Sequence, residues 1–280
     1  MILGIVLGFA ALAVLSSVFG DGETDTSDPV AEDEGMAESG GNQDDMLIGG
    51  PGDDLFFGNG GNDLLVGKAG DDRLFGGDDT DLIVGGEGND LMRGSAGDDL
   101  LIDAQGADTF RGDTGDDIIV ATGAINLDAL TEQLDNPDPD QPPELAPGDF
   151  SLDFGPDSDD QGDQVFGGYG DDTIIAGSDD TITLGEGLDD LILGSWIEGA
   201  GPATVTDYSK AEDSLIYLYD SANSAPEMTL GTTTDGFGDP QDALLFANGD
   251  LVAVIKGMGG FFSLDDVVLT PARAGTGALV

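Results

Sequence analysis

Aspartate returns at every ninth residue from position 45 to position 117: Asp45, Asp54, Asp63, Asp72, Asp81, Asp90, Asp99, Asp108 and Asp117. Counted from Gly40, each is the sixth residue of a nonapeptide, and nine such units follow one another without insertion or deletion. Stacked carboxylates repel one another unless a cation sits among them. The units offer oxygen donors alone: the carboxylates, and backbone carbonyls that glycine-rich turns can aim inward. Such a set suits a hard cation, Ca²⁺ ahead of Mg²⁺, because Mg²⁺ prefers a rigid octahedron and keeps its waters. Zinc is disfavoured, since the chain has no Cys and no His to supply its usual ligands.

The rest of the unit says how those carboxylates are positioned. Its eighth residue is apolar in all nine copies: Leu47, Phe56, Leu65, Leu74, Ile83, Met92, Leu101, Phe110 and Ile119. Gly opens every unit but the eighth, which starts with Asp103, and the fourth residue is Gly except at Gln43 and Asp79. A unit therefore divides into a six-residue turn and a three-residue strand. Glycines at positions one, two and four permit positive φ and close backbone approach. Alternation along the strand sends the eighth residue to one face and the seventh and ninth to the other. No single unit could bury its eighth residue alone, so the copies must stack. A disordered Gly/Asp-rich tract would have no reason to phase its apolar residues.

This nonapeptide resembles that of the RTX (repeats-in-toxin) calcium-binding proteins. The resemblance implies an all-β fold, a parallel β-roll with two nonapeptides per coil. It also implies that each Ca²⁺ is held between same-side turns of successive coils, by sixth-position Asp carboxylates and turn carbonyls. Two units per coil put odd-numbered units in one sheet and even-numbered units in the other. The odd units' outward residues are then Met46, Ile48, Leu64, Val66, Leu82, Val84, Leu100, Ile102, Ile118 and Val120, all apolar. The even units' are Leu55, Phe57, Arg73, Phe75, Leu91, Arg93, Thr109 and Arg111. The odd face is thus expected to be covered, by residues 121–157, by the C-terminal region, or by a protein partner or second copy.

Along the chain, residues 1–20 hold an apolar run, Ile2–Phe19, that as a helix would span ~27 Å. It reads as an N-terminal apolar helix serving as a membrane anchor, with a cleaved export signal or a buried helix as alternatives. Residues 21–39 are acidic and read as a disordered linker. The roll of residues 40–120 is followed by an insertion, 121–157. In it Asn126 can cap a short helix through Leu134, ahead of a Pro/Asp-rich loop. Repeats resume over 158–196, with Asp163, Asp172, Asp180 and Asp190 at the sixth position. That reading takes residues 167–174 as an eight-residue unit and 175–184 as a ten-residue one, with Val165, Ile174, Ile182 and Ile192 inside. Residues 197–280 form a β-rich cap, with strands over 213–219, 243–247 and 251–256 and a tight turn at Asn248-Gly249. Segments 205–218 and 263–269 are loosely similar to those that follow the repeats in RTX proteins.

Charge and composition bound the function. Fifty-eight acidic residues against seven basic ones give a net charge of −51. Nucleic acid and anionic headgroups are therefore poor partners. Without Cys or His there is no thiol chemistry, no Ser-His-Asp triad and no His-Glu-x-x-His zinc site. The expected protein binds several Ca²⁺ ions, is not an enzyme, and folds on ion binding outside the cell or at its surface. The alternative is a polysaccharide-active lyase, epimerase or glycosidase working through paired carboxylates. Ice binding through outward Thr arrays fails, because Thr109 is the one Thr among those outward positions.

Overall fold

Consecutive nonapeptide strands fall alternately into two long sheets, because the turn between them reverses the chain across the core. The computed structural model describes residues 35–103, 105–126, 151–152, 154–155, 157 and 161–272. Among the described residues one sheet has eleven strands, in the order Ala37–Ser39, Leu55–Gly60, Arg73–Asp78, Leu91–Ala96, Thr109–Thr114, Gln164–Tyr169, Thr181–Glu186, Ala203–Val205, Asp250–Ile255, Pro240–Ala247 and Met228–Thr234. The other has nine, in the order Met46–Ile48, Leu64–Ala69, Leu82–Glu87, Leu100–Asp103, Ile118–Ala121, Thr173–Ala176, Asp190–Gly194, Ser214–Asp220 and Val267–Ala272. Pairing through the repeats is parallel, one coil against the next. Odd units build the nine-stranded sheet and even units the eleven-stranded one.

Register follows the apolar column. Phe56 pairs with Leu74, Leu74 with Met92, Met92 with Phe110 and Phe110 with Val165, and all five side chains are fully buried. In the facing sheet Leu65, Ile83, Leu101, Ile119 and Ile174 form the matching column. A slip of one residue would turn each strand inside out, so the buried column fixes the stacking.

The three glycines of the unit serve two different purposes. From the third unit on, the described second and fourth positions lie at positive φ, at Gly77 (136°) and Gly88 (140°) for example. Asn59, Lys68, Ser95 and Asp113 adopt the same region at second positions. The first position is glycine for space: a Cβ on Gly49 would fall on Asp54 Oδ2 and on the Gly67 carbonyl of the next coil.

The two repeat blocks are contiguous in both sheets, since Thr109–Thr114 pairs with Gln164–Tyr169 and Ile118–Ala121 with Thr173–Ala176. The insertion leaves and re-enters the roll through a short antiparallel ladder, Ile125–Asn126 against Ser151–Leu152. Asn126 is thus in an extended pair, where sequence alone suggested a helix cap. Asp157 fastens the return: its Oδ1 accepts the Gly123 N–H at 3.0 Å and its Oδ2 the Ser178 N–H at 2.8 Å. The expected helix ending at Leu134, the Pro/Asp-rich loop and the apolar helix over residues 2–19 all lie outside the described residues. Among the described residues there is no α-helix, and no helix is long and apolar enough to cross a membrane. Part of the segment read as an acidic linker is ordered. Ala37–Ser39 adds a strand beside Leu55–Gly60, with the Leu55 N–H donating to Met36 O and the Met36 N–H to Asp54 Oδ1.

Beyond Trp196 both sheets continue. Ala203–Val205 and Ser214–Asp220 add one more parallel coil, and Val267–Ala272 closes the nine-stranded sheet. Three strands extend the other sheet, and Asn248 and Gly249 at positive φ make the tight turn between two of them. Strand Met228–Thr234 was not legible in the sequence; four of its seven residues are exposed and none is buried, so no buried column marks it.

The outer faces differ. Of the odd units' outward residues eight are buried, with Leu64 and Leu82 0% exposed, and only Ile48 and Val84 are partly exposed. On the even units' face Phe57 is 40% exposed and stacks on Phe75 at 5.1 Å, Arg93 pairs with Asp113, and Arg111 sits 4.8 Å over the Phe166 ring.

Candidate metal centre

Stacking at one coil per step converts a nine-residue spacing into two columns of carboxylates, one along each edge of the roll. One column runs Asp45, Asp63, Asp81, Asp99, Asp117, Asp172 and Asp189; the other runs Asp54, Asp72, Asp90, Asp108, Asp163 and Asp180. Each backbone N–H in a column donates to Oδ1 of the next Asp. Asp63 reaches Asp81 at 2.8 Å, Asp81 reaches Asp99 at 2.8 Å and Asp72 reaches Asp90 at 2.7 Å. The columns pass through the insertion, with Asp108 donating to Asp163 at 2.7 Å and Asp117 to Asp172 at 2.9 Å.

That bond uses one carboxylate oxygen. The other, Oδ2, is buried without a hydrogen-bond partner at Asp63, Asp72, Asp81, Asp90, Asp99, Asp117, Asp172 and Asp189. An orphaned buried carboxylate oxygen is costly, and a repeating row of them calls for a compensating charge. Backbone carbonyls join them: around most first-position glycines converge the Oδ2 of the glycine's own turn and the first-position carbonyl of the next coil, as for Gly58 with Asp63 and Gly76. These all-oxygen cradles, which a Cβ would fill, fit a hard divalent cation and offer nothing to a soft one.

Proton affinity tells the same story from another side. Burial pushes Asp63 and Asp72 up to about 7, Asp81 to about 9, Asp99 to about 7, Asp117 and Asp172 to about 8 and Asp189 to about 6. In most of these the donated amide partly offsets the desolvation, and the neighbouring carboxylates add to it. Asp90 is raised as well, chiefly by burial. Without a cation each of these groups holds its proton more tightly than an exposed carboxylate does.

The fifth position is Asp or Asn in seven of the nine units, Thr80 and Ala107 being the exceptions, and is followed always by Asp. Its side chain accepts the amide of the fifth residue one coil on, as Asn62 Oδ1 does from Thr80 at 3.0 Å and Asp53 Oδ1 from Asp71 at 2.9 Å. A neutral carbonyl oxygen serves there as well as a carboxylate. The sixth position needs a second, charged oxygen for the cradle, so Asn does not replace it.

Twelve of the thirteen expected aspartates, all but Asp190, stand in the two columns. Asp190 is displaced by one residue: it is paired with Thr173 in the seventh position and faces outward, while Asp189 receives the Asp172 N–H at 3.0 Å. The interior residue is correspondingly Leu191, paired with Ile174, and not Ile192. The two units run eight residues from Asp172 to Asp180 and nine from Asp180 to Asp189, with no ten-residue unit. One residue is lost from the turn near Ser178, where Asp157 clasps the chain, and the strands keep step because slipping would expose the interior column. Two further carboxylates had no nine-residue signal. Asp103 occupies a first position, and Asp207 closes the last coil by accepting the Leu184 N–H at 2.8 Å and the Gly185 N–H at 3.1 Å.

Residues 39–74, 57–92, 93–123 and 157–194 match the family model for the RTX calcium-binding nonapeptide repeat, four copies in all. Among solved structures the chain is similar to the extracellular lipase LipA from Serratia marcescens, at 18% identity and a TM-score of 0.25. That likeness covers 80% of this chain, which spans 40% of the lipase's length. It is also similar to the AlgE6R3 subunit from the Azotobacter vinelandii mannuronan C5-epimerase, at 14% identity and a TM-score of 0.23, with 86% of each chain covered. No curated protein sequence matches it.

Proposed function

We propose that this chain, which carries RTX-type calcium-binding nonapeptide repeats, is a non-enzymatic protein of the extracellular space or cell surface whose roll folds when Ca²⁺ binds. The observation that carries the reading is the row of buried Oδ2 atoms without partners, repeated once per coil. Carboxylates one coil apart, at the ~4.8 Å strand spacing, repel by about 3 kcal/mol at an effective dielectric near 20. The amide bond each accepts returns only about 1 kcal/mol. Repulsion wins, and the stack needs protons or cations to close. Ca²⁺ between neighbouring turns supplies that charge, so its binding free energy becomes folding free energy. Asp189 takes the ligand place read for Asp190, and the intervals Asp108–Asp163 and Asp117–Asp172 add sites across the insertion.

Extracellular calcium modules bind at ~10⁻⁴–10⁻³ M, which suits a chain that stays unfolded in a calcium-poor cytosol and folds after export. Two columns of carboxylates engaged in turns leave a structural or interaction role as the activity. The test is circular dichroism during a Ca²⁺ titration, with Mg²⁺ as control and a chelator to reverse it. The expected result is β structure gained with Ca²⁺, lost with chelator, and not matched by Mg²⁺ at equal concentration. A roll equally folded in chelator at pH 7.5 would refute ion-coupled folding.

A further inference from the structure

One interval in the columns is built differently from the rest. The eighth nonapeptide opens with Asp103 where every other unit of the first block opens with Gly. At Gly40, Gly49, Gly58, Gly67, Gly76 and Gly112 the first-position glycine faces a backbone carbonyl of the next coil. Gly85 faces the Asp103 carboxylate, with Asp90 Oδ2 beside it. Asp103 is buried, and its orientation is held by two amides: the Gly86 N–H donates to its Oδ2 at 2.8 Å and the Gln105 N–H to its Oδ1 at 3.0 Å. The side chain therefore enters the space between turns 85–90 and 103–108. There one carboxylate oxygen each from Asp90, Asp103 and Asp108 lies within 4.8 Å of the other two. Asp90, itself 3% exposed, points an Oδ2 without a hydrogen-bond partner into that space.

We infer that the Asp90–Asp103–Asp108 interval is the tightest cation site of the roll, a three-carboxylate site among two-carboxylate ones, selective for Ca²⁺ over Mg²⁺. The inference rests on the calcium reading above and adds a rank order to it. Three oxygens each about 2.3–2.6 Å from one Ca²⁺ can stand up to ~4.5 Å apart, so a small side-chain adjustment brings these three into one coordination sphere. Mg²⁺, at about 2.0–2.1 Å, holds its ligands within ~4.2 Å and in a strict octahedron, which the fixed turns oppose. Ligand charge count is a principal control on affinity in all-oxygen sites, and this interval has one elementary charge more than its neighbours.

The experiment is Ca²⁺ binding by the full chain, followed by calorimetry and by competition with a chromophoric chelator, in the native protein, D103G and D103N. D103G restores the residue that the other first-block turns carry, so the fold has a place for it. D103N keeps the shape and removes the charge. The native protein is expected to bind one ion ahead of the others. Both variants should weaken that first step by roughly tenfold or more, with the same circular dichroism at saturating Ca²⁺. A first ion held as tightly by D103G and D103N as by the native protein would overturn the ranking. So would native sites that are all equivalent. Absence of Ca²⁺ binding by the native protein would instead defeat the calcium reading itself, and the two failures are told apart by that measurement alone.

Discussion

The two sheets of the roll obey one rule inside and opposite rules outside. Phe56, Leu74 and Met92 in one, and Leu65, Ile83 and Leu101 in the other, are equally buried against each other. At seventh and ninth positions the sheets part company: Leu64, Leu82 and Leu100 are buried, while Arg73, Arg93 and Arg111 are exposed. The repeat thus specifies the coil, and the outward residues specify what lies against it. A sheet with both faces apolar is buried on both, and one with a polar outer face is left to water.

The largest expected effect separates the two outer faces. Leu82→Lys with Val84→Lys sets two charges on the covered face and should cost several kcal/mol, or abolish folding at saturating Ca²⁺. Leu91→Lys, at the same seventh position one unit later on the open face, should cost less than about 1 kcal/mol. Urea denaturation in Ca²⁺ measures both, and equal costs would end the distinction between the faces.

A smaller effect is expected from the turns, where the sheets should behave alike. Asp81→Ala and Asp72→Ala each remove an acceptor for one amide and an oxygen from two intervals. Each should cost a similar amount of folding free energy at fixed Ca²⁺, on the order of 1–3 kcal/mol, and raise the Ca²⁺ midpoint for folding. Asp45→Ala, at the end of its column, should do less. If Asp81 mattered and Asp72 did not, only one edge of the roll would be ion-dependent.

The smallest effect is that of pH on the ion-free chain. Carboxylates such as Asp63, Asp81 and Asp117, pushed up to about 7, 9 and 8 in the fold, bind protons more tightly folded than unfolded. Their contribution is fully present below the unfolded value near 4 and is lost as pH rises through 7 to 9. In chelator, acidification from pH 8 to pH 5 should therefore restore part of the β signal. With Ca²⁺ the sign reverses, because the ion requires ionised carboxylates. Loss of β signal on acidification in chelator would contradict the burial of these groups.

Much of this protein was legible in its sequence because a repeat states its contacts many times. Nine apolar eighth residues and nine sixth-position aspartates fix a strand, a turn and a stack, and the absence of His and Cys narrows the cation. The apolar character of the odd units' outward positions was legible too, since parity alone separates it from the arginines. The sequence could not say whether a shortened unit loses its residue from a turn or a strand, since both leave the same spacing. Parallel pairing with Thr173 decided that Asp189 points inward and Asp190 outward. It could not say that the columns cross the insertion either, because the bond from Asp108 to Asp163 joins residues 55 apart. Nor could one Asp in a glycine position announce a third carboxylate beside Asp90 and Asp108. Periodicity encodes what every coil shares, and only stacking in three dimensions brings together what a single coil does differently.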